Sequence, residues 1–124
     1  MGEEDRKLEL RRRTKEFAGS VVDLFIKLDR RRDEVAILGK QLILSATSVA
    51  AQYREASRAR SPEEFVAKIE ACFQEADESQ LWLELLRDNC KISCALIDPI
   101  WQEADELISI FITMSKNTKT NRQK

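Results

Sequence analysis

Apolar residues along this chain recur at steps of three and four, the spacing that keeps one face of an α-helix dry. In the first stretch Leu10, Phe17, Val21, Leu24 and Leu28 form one stripe, and the polar Thr14 fills its gap. Ala18, Val22 and Phe25 widen it, which suits packing against more than one neighbour. The run Asp29-Arg30-Arg31-Arg32-Asp33 ends that segment, and Asp33 is placed to cap the next. There Val35, Leu38, Leu42, Ala46, Val49, Tyr53 and Ala56 repeat at helical spacing. A third segment opens at Ser61-Pro62-Glu63-Glu64, which combines an N-cap, a first-position proline and a capping-box glutamate. Phe65, Ile69, Cys72, Ala76, Ser79, Leu83, Leu86 and Cys90 then make a heptad seam. Asp98-Pro99 opens the fourth segment by the same cap-and-proline logic, and Ile100, Trp101, Ala104, Leu107, Ile108, Phe111 and Ile112 follow.

The pattern predicts helices over about 5–29, 34–59, 62–90 and 98–116. Connections this short make sequence neighbours antiparallel. The expected fold is therefore all-α: a left-handed, up-down-up-down antiparallel four-helix bundle over residues 1–116, followed by a disordered basic tail at 117–124.

Composition narrows the chemistry. A length of 124 residues suits one domain, and 3 Gly with 2 Pro leave little material for the turns of a β-rich fold. The chain has no His, which removes Ser-His and Cys-His nucleophile pairs, imidazole proton shuttles and His metal sites. The acids Glu70, Glu75, Asp77 and Glu78 cannot form a carboxylate-bridged di-metal centre, because that centre needs Glu-x-x-His from two helices. Gly39-Lys40 lacks the rest of a phosphate-binding loop. No enzymatic activity, cofactor or metal is expected. Cys72 falls on an apolar stripe and reads as a small core residue, while Cys90 and Cys94, four apart, are expected on one helical face. The charged start and the lack of an apolar run near the ~20 residues that span a bilayer predict a cytoplasmic protein with no membrane partner.

Charge is nearly balanced, 21 basic against 22 acidic residues, so any basic surface is local. The candidates for nucleic-acid contact are Arg11, Arg12 and Arg13; Arg30, Arg31 and Arg32; and the looser group Arg54, Arg58 and Arg60. The tail from Lys116 to Lys124 adds four bases and no acid. A second regularity lies on the second helix, where Gln41, Ser45, Ser48, Gln52 and Glu55 form a polar stripe as regular as the apolar one. Together with the low bulk at Gly39, Ala46, Ala50 and Ala51, and with Glu75 and Glu78 on the third helix, it marks a candidate subunit interface or polar network. Trp82 and Trp101 are candidate anchors of an interface or of the core.

Two stretches carry a specific resemblance. The segment from Gly39 to Ala56, with Arg58-Ala59-Arg60-Ser61-Pro62-Glu63-Glu64-Phe65 and Lys68-Ile69, resembles the second-helix signature of the 23S ribosomal RNA intervening-sequence proteins. Glu75-Ala76-Asp77-Glu78-Ser79 with Trp82-Leu83-Glu84-Leu85-Leu86 is similar to that family's third helix. Gln52 stands where relatives commonly carry Asn, and Leu44 where they commonly carry Arg. The resemblance implies a small bacterial bundle that assembles as a homo-oligomer, typically a pentamer, with RNA or the ribosome as a partner. A related branch serves as accessory protein to the reverse transcriptase of diversity-generating retroelements. The expected function is a non-catalytic homo-oligomer that binds RNA or a ribonucleoprotein through its Arg clusters. The alternative is an accessory module that binds nucleic acid and a reverse transcriptase.

Overall fold

The computed structural model describes residues 2–122, and all its regular elements are helices. They are α1 (Glu3–Lys27), α2 (Asp33–Ala56), α3 (Pro62–Asp88) and α4 (Cys94–Arg122). The four stripes enclose one core. Val21 from α1, Val49 from α2, Leu83 from α3 and Leu107 from α4 are all fully buried. The Tyr53 and Phe111 rings stack with centroids 6.2 Å apart. Thr14 fits its apolar surroundings because its hydroxyl donates to the Leu10 carbonyl at 2.8 Å.

Contacts between the helices run in opposite sequence directions. Between α2 and α3, Ser45 meets Ser79 and Glu55 meets Lys68. Between α3 and α4, Glu84 meets Trp101 and Glu70 meets Lys119. Gly39 of α2 takes the Phe25 and Leu28 side chains of α1, and a Cβ built there would lie 3.0 Å from the Phe25 ring. α1 packs closely on α2 and α4, while its backbone stays away from that of α3, so these two are diagonal.

Local signals set most helix starts. The Ser61 hydroxyl accepts from the Glu64 amide at 3.1 Å, and the Glu64 carboxylate accepts from the Arg60 amide. Asp33 is the first residue of α2 instead of its cap, which falls on Arg32 with no side-chain bond. Asp33 and Glu34 then face the positive end of the helix dipole.

α4 departs from expectation at both ends. It starts at Cys94, not Asp98, so Pro99 lies inside the helix. Ser93 caps it by accepting from the Ala95 amide at 3.2 Å. The reason is Ile97, which is fully buried and carries the apolar stripe one turn back from Ile100. The missing proline donor leaves only the Ala95 carbonyl unserved, on an exposed residue. At the other end the helix continues through 117–122, where a disordered tail was expected. Thr118 bonds the Met114 carbonyl, and Lys119 pairs with Glu70 of α3 at 3.2 Å. Gln123 and Lys124 lie outside the described residues.

The α3–α4 link separates the two cysteines expected on one helical face. Cys90 is buried after α3, and Cys94 is exposed at the start of α4. Lys91 between them adopts the left-handed region, φ 63°. That turn lets the Ile92 amide close on the Leu86 carbonyl at 3.0 Å. Burial pushes the Cys72 thiol up to about 12, so it is held protonated in the core.

Candidate functional site

The three arginine clusters expected to contact nucleic acid are not equivalent. Arg12 is clasped by Glu9 and Glu16 on its own helix. Arg13 reaches across to α4, with both Glu103 oxygens at 2.8 Å and Glu106 at 3.1 Å. Arg31 folds onto Asp29, and Arg32 holds Glu34 and the Cys90 carbonyl. Arg30 donates to the Phe25 carbonyl and lies 4.6 Å over the Phe25 ring. The remainder differ. Among the described residues, Arg11, Arg54 and Arg58 have no carboxylate within bonding distance, and Arg60 has only Glu64 at 3.7 Å. Arg6 is likewise unpaired, and no pattern in the sequence singled it out.

The free arginines lie toward one end of the molecule. There the start of α1, the end of α2, the start of α3 and the end of α4 surround a cleft of about 590 Å³. Arg6, Lys7, Tyr53, Phe65, Met114 and Asn117 are among its walls. Tyr53 is only 1% exposed. Burial pushes its phenol up to about 12, against the opposing pull of the Arg11 and Arg6 charges. Arg30–Arg32 lie at the opposite end, in the α1–α2 link. The clusters therefore do not form one basic face on a single chain.

The polar stripe of α2 divides as well. Ser45 is buried, and its hydroxyl lies 2.8 Å from that of Ser79. Glu55 pairs with Lys68, both partly exposed. Glu75 and Glu78 join no side-chain hydrogen bond or ion pair with the α2 stripe among the described residues. The Ser79 hydroxyl reaches the backbone carbonyl of Glu75, not its side chain. Partial burial, then repulsion by Glu78, raise the Glu75 carboxyl above the usual range. Gln52 also lacks a partner: its Oε1 is buried with no donor. Leaving such an acceptor unpaired costs about 1–3 kcal/mol. Two interface candidates turn inward, Gly39 toward α1 and Ser45 toward α3. Ser48 and Ala50 are half-buried, and Gln41 is exposed.

Beside that stripe α2 carries an apolar outer face. Ile37 is 61% exposed and Leu44, two turns on, 64%. Ala51 continues the same heptad step and is exposed. Apolar on two sides, the 24-residue α2 is long and apolar enough to cross a bilayer by length and composition. The sequence reading found no such run, because Lys40, Arg54 and the acids at both ends interrupt it. Leu81 adds an exposed apolar side chain on α3.

Other polar contacts are structural. Trp101 donates to Glu84 at 2.8 Å, and the buried Gln80 amide donates to the Trp101 carbonyl and to Asp105. Gln80 was missed because no single helix reveals which glutamine a neighbour will cover. Among the described residues no group of three or more Cys, Asp or Glu side chains could hold a metal ion.

A four-helix bundle with a polar-lined helix seam and unpaired arginines at one end is the class that fold and surface define. Residues 6–119 match the family of 23S rRNA-intervening sequence proteins, and the chain belongs to that family. Its fold is similar to the crystal structure of a protein of unknown function from the S23 ribosomal protein family of Bacteroides thetaiotaomicron VPI-5482. That likeness has a TM-score of 0.78 at 30% identity, covering 86% of this chain and 97% of the other. Among curated proteins none matches.

Proposed function

We propose that this chain is a non-catalytic bundle that self-associates through the outer side of α2 and binds RNA or a ribonucleoprotein through its arginine-rich end. The observation that carries the reading is the α2 surface. Ile37 and Leu44 stand exposed two turns apart on a helix whose Gln52 holds a buried acceptor with no donor. A second copy would cover the apolar pair and bring a donor to that oxygen. The ring of five implied by the family resemblance is the expected stoichiometry. Support for RNA comes from the family's description and from Arg11, Arg54 and Arg58, which no carboxylate among the described residues neutralises.

Native mass and sedimentation test the assembly. Leu44→Glu, alone and with Ile37→Glu, should shift the protein toward monomer while its helicity persists. An unchanged mass would defeat this interface. RNA binding is tested by purification without nuclease and by titration with structured RNA over a range of salt. The affinity should fall by roughly 0.7 to 0.9 log units per neutralised phosphate for each log unit of salt. Assembly without a nucleic-acid signal would leave the accessory reading, with a protein partner such as a reverse transcriptase.

A further inference from the structure

We infer that the cleft at the arginine-rich end binds a nucleoside monophosphate, either free or as the phosphorylated end of an RNA strand. This adds a ligand site to the assembly reading; only its strand-end form rests on RNA binding. The cleft, about 590 Å³, is of the size that accepts small ligands, roughly 300–1,000 Å³. Its walls come from all four helices and the α2–α3 link.

Tyr53 points to a ligand independently of the charges. It is 99% buried by its neighbours, being 1% exposed, and its ring is held against Phe111. Yet it lines the cleft, and among the described residues nothing bonds its hydroxyl, which unlike the Gln52 Oε1 is not sealed from the cleft. A hydroxyl held in this way bonds to water or to a ligand group that enters the cleft and displaces it.

The surrounding chemistry selects an anion joined to a flat, hydrogen-bonding body. Among the described residues Arg6 has no carboxylate partner, and Lys7 has only the exposed Glu4 at 3.4 Å. Glu3 is the single acid of the wall, so cations outnumber acids there. From the diagonal helix Phe65 offers an aromatic surface, the kind on which bases stack. Asn117 and Asn121, one turn apart on α4, offer amides that both donate and accept, as base edges require.

Calorimetric titration with AMP, UMP, adenosine and inorganic phosphate tests the site. A 5′-phosphorylated RNA decamer and its 5′-hydroxyl form complete the set. A mononucleotide or the phosphorylated decamer should bind at least tenfold more tightly than its unphosphorylated counterpart. Tyr53→Phe keeps the stacked ring, and it should weaken binding about fivefold without lowering the melting temperature. Arg6→Gln, on an exposed residue, should weaken it about tenfold. Binding of mononucleotides identifies the free ligand, and binding of the phosphorylated decamer alone identifies a strand end. No binding by any probe would overturn the site, as would binding indifferent to both substitutions. RNA affinity lost in Arg54→Ala/Arg58→Ala but untouched by Tyr53→Phe would overturn the cleft and leave the RNA reading standing. Mononucleotide binding by a protein with no RNA affinity would do the reverse.

Discussion

At the end where α1 turns into α2 and α3 into α4, the arginines are bound within the chain. Arg31 holds Asp29, Arg32 holds Glu34 and the Cys90 carbonyl, and Arg87 bridges Asp88 and Asp98. Ile97 seals that end from beneath. At the opposite end Arg6, Arg11, Arg54 and Arg58 have no such partners among the described residues, and all four helices line a cleft. The difference is geometric. The α1–α2 and α3–α4 links bring carboxylates within reach of their guanidinium groups, whereas around Arg54 and Arg58 none of the described residues does so. An arginine cluster therefore marks a binding surface only where folding leaves it uncompensated.

The largest test of this contrast is packing. Ile97→Ala at the closed end and Leu83→Ala at mid-bundle, both fully buried, should each cost about 2–5 kcal/mol in chemical denaturation. Met114→Ala, half-buried beside the cleft, should cost about 1 kcal/mol, since less apolar area returns to water. Equal losses would mean the ends do not differ in packing. Next in size is charge. Arg54→Ala/Arg58→Ala should lower RNA affinity about tenfold, or about 1.4 kcal/mol. Arg31→Ala should change it less than twofold, and the reverse order would move the RNA surface to the other end.

pH separates the ends in opposite directions. Arg31 and Arg87 hold the Asp29 and Asp88 carboxyls below the usual range, and the Glu34 carboxyl is lowered first by its own amide and then by Arg32. Groups lowered in the fold stabilise it above their unfolded pKa, near 4, and lose that contribution as pH falls through the folded value. Tyr53, pushed up to about 12, behaves oppositely. Its contribution is complete below the unfolded pKa near 10 and is lost as pH rises through about 12. Amide exchange should thus loosen the α1–α2 and α3–α4 links first in acid, and alkaline titration should disturb the Tyr53 end first. Simultaneous loosening of both ends in acid would contradict this. The smallest effect belongs to Lys91, where Lys91→Gly should raise stability by about 0.5 kcal/mol. A measurable loss would show that the left-handed turn is not strained.

Much of the fold could be read from spacing. The α1 stripe Leu10, Phe17, Val21, Leu24 and Leu28 is buried throughout, and Ser61 caps α3 as its motif predicts. Helix starts were less legible. Asp98-Pro99 is a sound local start signal, but the burial of Ile97 outweighs it. Of the candidate sites, the polar stripe was visible as a regularity, while its outcome was not. Ser45 found Ser79, Glu55 found Lys68, and Gln52 found nothing.

Sequence alone determined four amphipathic helices, their approximate order and the absence of imidazole chemistry, because periodicity and residue type are local properties. Tertiary structure alone decided which arginines remain free, that Gly39 receives α1, and that Tyr53 faces a cleft without a partner. Those outcomes depend on which side chains from distant segments meet, and pairing across a bundle is set by the packing of all four helices together.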